Sequence, residues 1–298
     1  MIELKGVCKT LDDKNILKDI NLSIKEGSIF GLIGHNGAGK TTLIKCLTGI
    51  YNVDKGQIKI DDKEVFQNKH IKNIVGYVPD FNNQFSNLKV KELIKLYELS
   101  YTNFNKERFY KLNKFFKIPE NIRRKKLSKG MKTRLAIMLN LSIMPKVLVM
   151  DEPTSGLDPL IKKVVMNIIL DDVSERGTTV LISSHNLSDL ERICDSVAIM
   201  GDGEIKYSNS IEEMKENIKK IQVVFKEEAP KDLSIWKGVM NIQKVGRVYN
   251  IVINGYNHEI LSKLKNSNIV FHEFIDLSLE DMFIYSVGGD SEYEELFK

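Results

Sequence analysis

The densest chemistry in the chain lies in Gly34-His35-Asn36-Gly37-Ala38-Gly39-Lys40-Thr41. This stretch fits G-x-x-x-x-G-K-[ST], in which glycines let the backbone curl until successive N–H groups face inward as an anion nest. A helix leaving such a loop aims the positive end of its dipole at the same point. Lys40 adds a full charge where the β- and γ-phosphates of a nucleoside triphosphate would lie, and the Thr41 hydroxyl is placed to ligate Mg²⁺. A second cluster is Val147-Leu148-Val149-Met150-Asp151-Glu152, an apolar run ending in two acids. Taken alone it reads equally as an acidic strand end turned by Pro153. A parallel strand, however, delivers its C-terminal end to the ligand crevice of an open α/β sheet. There Asp151 would help hold Mg²⁺ through water, and Glu152 would orient and polarise an attacking water. His185 closes the run Val180-Leu181-Ile182-Ser183-Ser184. A lone histidine at a strand end is commonly structural, but this position favours a phosphate-sensing role.

These residues need strands and helices to hold them. Ser28–Ile33 is an apolar run ending in glycine, which predicts a buried strand, and Thr41–Thr48 predicts the helix after the loop. Lys146–Met150, Thr178–Ile182 and Ser196–Met200 read as further strands. Ile161, Val164, Val165, Ile168 and Ile169 fall on one helical face. The alternation predicts an α/β domain with a mostly parallel sheet over residues 1–209. Asn82 to about Ile143 is helix-like, with Leu93, Leu96 and Tyr97 at helical spacing, and predicts a helical subdomain (82–143) within it. From residue 210 to 287 the pattern changes to a small α+β domain. Its expected elements are a helix over Ile211–Lys220, strand-like Ile221–Phe225 and Val248–Ile253, a helix near Glu259–Leu264 and a strand over Ile269–Ile275. Residues 288–298 form an acidic tail expected to be loosely ordered.

The 298 residues suffice for one large and one small domain. With 44 basic and 40 acidic residues the charge is too even to argue for nucleic acid as partner. The run Arg123-Arg124-Lys125-Lys126 is either a solvated loop or an anion contact. Cys8, Cys46 and Cys194 have no metal-binding spacing and read as reduced thiols of a cytosolic protein. The N-terminus MIELKGV has no signal-peptide core. No window approaches the ~18 apolar residues of a membrane helix, so any membrane role is borrowed from another chain.

The phosphate loop, VLVMDEP, Ser155-Gly156-Leu157-Asp158 and Ser184-His185 follow the order and rough spacing of ABC-transporter nucleotide-binding domains. Leu127-Ser128-Lys129-Gly130-Met131 lies where that family carries its signature motif. The resemblance spans roughly residues 1–208. Ile275 to Phe283 (IDLSLEDMF) also resembles the C-terminal end of ATPase subunits of bacterial ABC-2-type exporters. The resemblance implies a P-loop NTPase core that binds ATP and Mg²⁺. Gly34 to Thr42 would take the phosphates, Thr41, Asp80 and Asp151 the metal, and Glu152 and His185 the hydrolytic step. It also implies a head-to-tail pair, as homodimer or as heterodimer with another ABC ATPase. Ser128 and Gly130 of one chain would then close on the nucleotide of the other, which fits Ser128 as a helix N-cap. The partner implied is an integral membrane permease on a separate chain, powered at the cytoplasmic face of the cell membrane in an exporter.

This chain departs from the family's pattern at several places. Lys129 stands where glycine is usual, Met131 where glutamine is usual, and Asp80 replaces the glutamine after Gly76-Tyr77-Val78-Pro79; the nearest glutamine is Gln84. Asp80 can offer the metal an oxygen but donates no hydrogen bond when ionised. Leu11 holds the place of an aromatic that stacks on adenine. Two other functional classes compete with this reading. A soluble mechanoenzyme is expected to carry tandem cores or a long coiled coil, and here there is one core without sustained heptads. A non-hydrolysing switch is favoured by Asp80 and Lys129 and opposed by Glu152 and His185. The C-terminal domain suits dimer contact, regulation or plain scaffolding.

Overall fold

Uninterrupted apolar runs suit strands covered on both faces, and IFGLI, VLVMD and TVLISS are strands with every residue buried. The computed structural model describes residues 1–80, 85–255 and 258–287; Gln84 and the acidic tail lie outside them. In chain order the elements begin with β1 (Ile2–Leu11), β2 (Lys14–Ile24), β3 (Ile29–Ile33), α1 (Lys40–Leu47), β4 (Lys55–Ile60), β5 (Lys63–Glu64), α2 (Lys69–Ile74) and β6 (Val75–Val78). Next come α3 (Val90–Ser100), α4 (Lys106–Phe116), α5 (Lys129–Ser142), β7 (Val147–Asp151), α6 (Pro159–Arg176) and β8 (Thr179–Ser184). They are followed by α7 (Leu187–Glu191), β9 (Ser196–Gly201), β10 (Glu204–Ser210), α8 (Ile211–Asn217) and β11 (Ile218–Phe225). The last are β12 (Val239–Val245), β13 (Val248–Asn254), α9 (His258–Asn266), β14 (Ile269–Ile275) and α10 (Leu279–Val287).

A six-stranded sheet runs in the order β10-β9-β3-β8-β7-β6, and the pairings β3–β8, β3–β9, β7–β8 and β6–β7 are parallel. Ile33 pairs with Ser184, and Asp151 with Ser183. The C-terminal ends of β3, β7 and β8 therefore lie side by side. The glycine loop, the two acids and His185 leave the sheet at one edge, where open α/β sheets bind ligands. Helix α6 is set by Asp158, whose side chain accepts from Ile161 N (3.0 Å), by Pro159 in its first turn, and by Gly177 at φ 64° at its end. Its buried stripe is Val165, Met166, Ile169 and Asp172, so the expected apolar face is turned slightly and leaves Ile161, Val164 and Ile168 half-buried.

A second sheet, β2-β1-β4-β5, pairs antiparallel. The apolar runs do not reveal it, because its strands bury only alternate residues: Ile2, Leu4 and Val7 face the core while Lys5 is exposed. The fold is thus an α/β P-loop NTPase core with one mostly parallel and one antiparallel sheet. The insert region holds α3, α4 and α5. Arg124 of its basic run is buried, and burial pushes its pKa down, while Arg123, Lys125 and Lys126 are exposed.

Buried Asp172 of α6 accepts from Arg108 of α4 and from Arg176 Nη1 at 3.2 Å, and so ties the insert to the sheet core. Asp172→Ala removes the carboxylate that pairs both guanidinium groups. It is expected to cost about 2–3 kcal/mol, read as a lower urea midpoint at unchanged slope. An unchanged midpoint contradicts this role.

The described residues fall into two compact units: Met1–Asn186 with Ile193–Ser208, and Leu187–Arg192 with the chain from Asn209 onward. In the second, an antiparallel sheet β12-β13-β11-β14 packs Ile221, Val223, Phe225, Ile251 and Ile253 against Ile260 and Leu264 of α9. Helix α8 stops at Asn217, short of the expected Lys220, because from Ile218 the chain pairs antiparallel with β13, and from Ile221 burial alternates as a strand requires. Strand β12, largely exposed, gave no apolar run. In the IDLSLEDMF stretch, Ser278 caps α10: its Oγ accepts from Asp281 N (3.0 Å) and donates to Asp281 Oδ2 (2.8 Å), while Leu277, Leu279, Met282 and Phe283 are buried.

Candidate functional site

The glycine loop between β3 and α1 depends on two backbone conformations that side chains resist: Gly37 at φ 91° and Gly39 at φ 104°. A Cβ on Gly39 would stand 2.7 Å from Met200 Cε and 3.1 Å from the Ile16 carbonyl, so the loop is seated against β2 and β9 with no room to spare. Ala38 is buried, its N–H donating to the His35 carbonyl (3.2 Å), while Asn36 is exposed and His35 Nδ1 lies 2.8 Å from the Asn36 carbonyl. No side chain caps the first turn of α1, so its N–H groups stay available to an anion. Thr42 is half-buried on that turn.

Lys40 is buried, and its Nζ donates to the carbonyls of Gly34 (2.5 Å) and His35 (3.1 Å). Burial lowers its pKa, and Glu152 and Asp151 oppose that shift. Thr41 Oγ1 donates to Asp151 Oδ2 (2.7 Å), and Ser183 Oγ donates to Asp151 Oδ1 (2.6 Å). Glu152 stands at φ 48°, a left-handed value rare for a residue with a side chain. Its N–H donates to Ser183 Oγ (3.1 Å). His185 Nδ1 lies 2.9 Å from Glu152 Oε2. The other oxygen, Oε1, is buried, has no hydrogen-bond partner among the described residues, and lies 3.9 Å from Lys40 Nζ. Burial raises the Glu152 pKa; His185 and Lys40 pull it back.

Lys40, Thr41, Asp151, Glu152 and His185 thus stand together in one group, linked through Ser183. Ser183, which fastens both acids, was missed; its place at the C-terminal end of β8, two residues before His185, was the available signal. A second group gathers at the start of α5. Ser128 is its N-cap, accepting from Met131 N (3.2 Å), and Gly130 lies so close to the loop after β7 that a Cβ would reach 3.1 Å from the Gly156 carbonyl. Asp80, expected at the metal, joins this second group: among the described residues it pairs with Lys129 and bonds neither Thr41 nor Asp151. Its carboxylate finds a cation there at the open end of β6. Leu11 sits half-buried at the tip of the β1–β2 hairpin and bonds to neither group; Ile16 and Leu17 of the same hairpin are what approach Gly39.

The residues fit a triphosphate with Mg²⁺. The buried Lys40 ammonium, held by its own loop's carbonyls and 3.9 Å from Glu152 Oε1, and that carboxylate oxygen, which has no hydrogen bond among the described residues, are groups a phosphate, a metal-bound water or an attacking water can engage. Among the described residues no three His, Cys, Asp or Glu cluster as a metal cage. Mg²⁺ takes one or two protein oxygens and completes its shell from phosphate and water, and Thr41 Oγ1 and Asp151 Oδ2, 2.7 Å apart, offer that pair.

The family profile described as ABC transporter matches residues 17–155. The ABC transporter ATP-binding protein YtrB of Bacillus subtilis (strain 168) is 31% identical over 97% of this chain and 99% of its own length. The methionine import ATP-binding protein MetN of Clostridioides difficile (strain 630) is 34% identical over 72% of this chain and 70% of its own. The solved structure of an ATP-binding subunit of an ABC transporter superposes with a TM-score of 0.67 at 26% identity, covering 72% of this chain and 92% of that one. The chain belongs to the ATP-binding subunits of ABC transporters, ATPases that use ATP and Mg²⁺ to power transport through membrane permease partners.

Proposed function

We propose that Lys40 and the loop N–H groups of Gly34 to Thr41 hold the phosphates of ATP, with Thr41 and Asp151 holding Mg²⁺. In this reading Glu152, oriented by His185, takes the proton of the attacking water. The observation that carries it is the Glu152 carboxylate. One oxygen is engaged by His185, while the other is buried, has no hydrogen bond among the described residues and lies 3.9 Å from Lys40 Nζ. A carboxylate so placed, its pKa raised by burial, is a stronger base than one in water. Bound Mg²⁺ would neutralise phosphate charge and polarise the γ-phosphoryl group. Ser183 keeps Asp151 and the Glu152 backbone in register; Lys40 keeps a positive charge at the loop mouth. Ser128 and Gly130 face the nucleotide of a second copy or a paralogue, so that ATP closes the pair and ADP, lacking those contacts, releases it.

We read the chain as the peripheral motor of an exporter, working at the cytoplasmic face beside a separate permease. Among the described residues no helix is long and apolar enough to cross a membrane. The import-named MetN relative matches over 72% of this chain, whereas YtrB matches over 97%. The IDLSLEDMF resemblance to ABC-2-type exporters supports export, and residues 210–287 are an accessory domain for pairing or regulation. Affinity purification from detergent-solubilised membranes is expected to recover one integral membrane protein in stoichiometric amount. In vesicles reconstituted with it, amphiphiles offered on the ATPase side raise turnover. Stimulation from the opposite side alone means import.

A further inference from the structure

Two departures from the family's pattern, Asp80 and Lys129, meet each other: Lys129 Nζ stands 3.7 Å from Asp80 Oδ1. The same ammonium donates to Ser155 Oγ at 3.0 Å. Its stem lies over Gly156, where a Cβ would come 3.2 Å from Lys129 Cδ and 3.6 Å from Cε; Gly156, at φ 76°, leaves that path open. From the first residue of α5, Lys129 therefore reaches two other segments at once: the end of β6 and the loop after β7. That loop is chained to the hydrolytic carboxylate, since Ser155 N donates to the Glu152 carbonyl (3.1 Å), and it ends in Asp158, the cap of α6. A glycine at position 129 could make none of these contacts, and a glutamine at position 80 would offer the ammonium no charge.

We propose that Lys129 is a positioning residue that, through Asp80 and Ser155, clasps the start of α5 to the loop carrying Glu152, and that Asp80 and Lys129 work as a matched pair. The inference rests on the assignment of Glu152 and of the Ser128–Gly130 turn given under Proposed function. The two side chains are half-exposed, so their attraction adds little to global stability. Its effect is local: it fixes where Ser128 and Gly130 stand relative to Glu152. It also neutralises a carboxylate that would otherwise place a lone negative charge at the mouth of a phosphate site.

The test is a double-mutant cycle of Lys129→Gly, Asp80→Gln and the two combined, with two readouts. Hydrogen exchange of the nucleotide-free protein reads the clasp itself. Each single change is expected to speed exchange across residues 128–134 and 153–158 by roughly three- to tenfold, the double change by no more than the larger single, with the six-stranded sheet unaffected. Steady-state hydrolysis is expected to lose kcat by a similar factor with the KM for ATP within about twofold, again without added loss in the double variant. Effects that add in the double variant, or local exchange unchanged in the singles, overturn the inference. Lys40→Ala serves as the separate control. If it keeps wild-type turnover, the assignment of the nucleotide site is what fails, whatever the exchange data show.

Discussion

Replacing Lys40 by alanine is expected to lower ATP turnover by at least about 100-fold. The reason is electrostatic and local. Lys40 is the positive side chain that the glycine loop holds inside its own curve, and in the absence of phosphate it is satisfied by the carbonyls of Gly34 and His35. A phosphate arriving there exchanges those neutral acceptors for a charged one in a site from which water is largely excluded, where such a bond is worth most. Burial already lowers the Lys40 pKa, so the ammonium gains a partner that favours its charged form. Alanine removes the charge and leaves two carbonyls without their donor. Phosphate release under saturating Mg-ATP measures the effect; turnover within about threefold of wild type contradicts the placement.

Glu152→Gln is the second large effect, and it separates binding from chemistry. The amide has the shape of the carboxylate, so the loop after β7 and the contact with His185 survive. What it lacks is basicity at the buried oxygen, Oε1. Turnover is expected to fall by about 10²- to 10³-fold while Mg-ATP binding persists. Because ATP then stays intact between facing chains, the variant should run as a dimer on sizing in Mg-ATP and as a monomer in ADP. Only monomer in both, with ATP bound, counts against head-to-tail closure by two copies of this chain.

The phosphate loop was legible because its chemistry is contiguous: glycines, lysine and threonine act through their own backbone within eight residues. The acids and His185 were legible for a related reason, since strand ends in a parallel sheet gather at one edge and the apolar runs mark those ends. Long-range side-chain contacts were not legible. Nothing local announces that Ser183 holds both Asp151 and Glu152, that Glu152 takes a left-handed φ, or that Asp80 pairs with Lys129. The antiparallel sheet escaped notice because charged residues alternate with the buried ones along β1 and hide a half-exposed strand.

One Mg-ATP is expected to be held by Lys40, Thr41 and Asp151 on each chain. Titration calorimetry of the intact protein with Mg-ATP, repeated on Lys40→Ala, addresses it most directly. One saturable site per chain, weakened by at least about tenfold in the variant, is the predicted result. A folded wild-type protein that takes up no Mg-ATP, or a variant that binds it as tightly, contradicts the account.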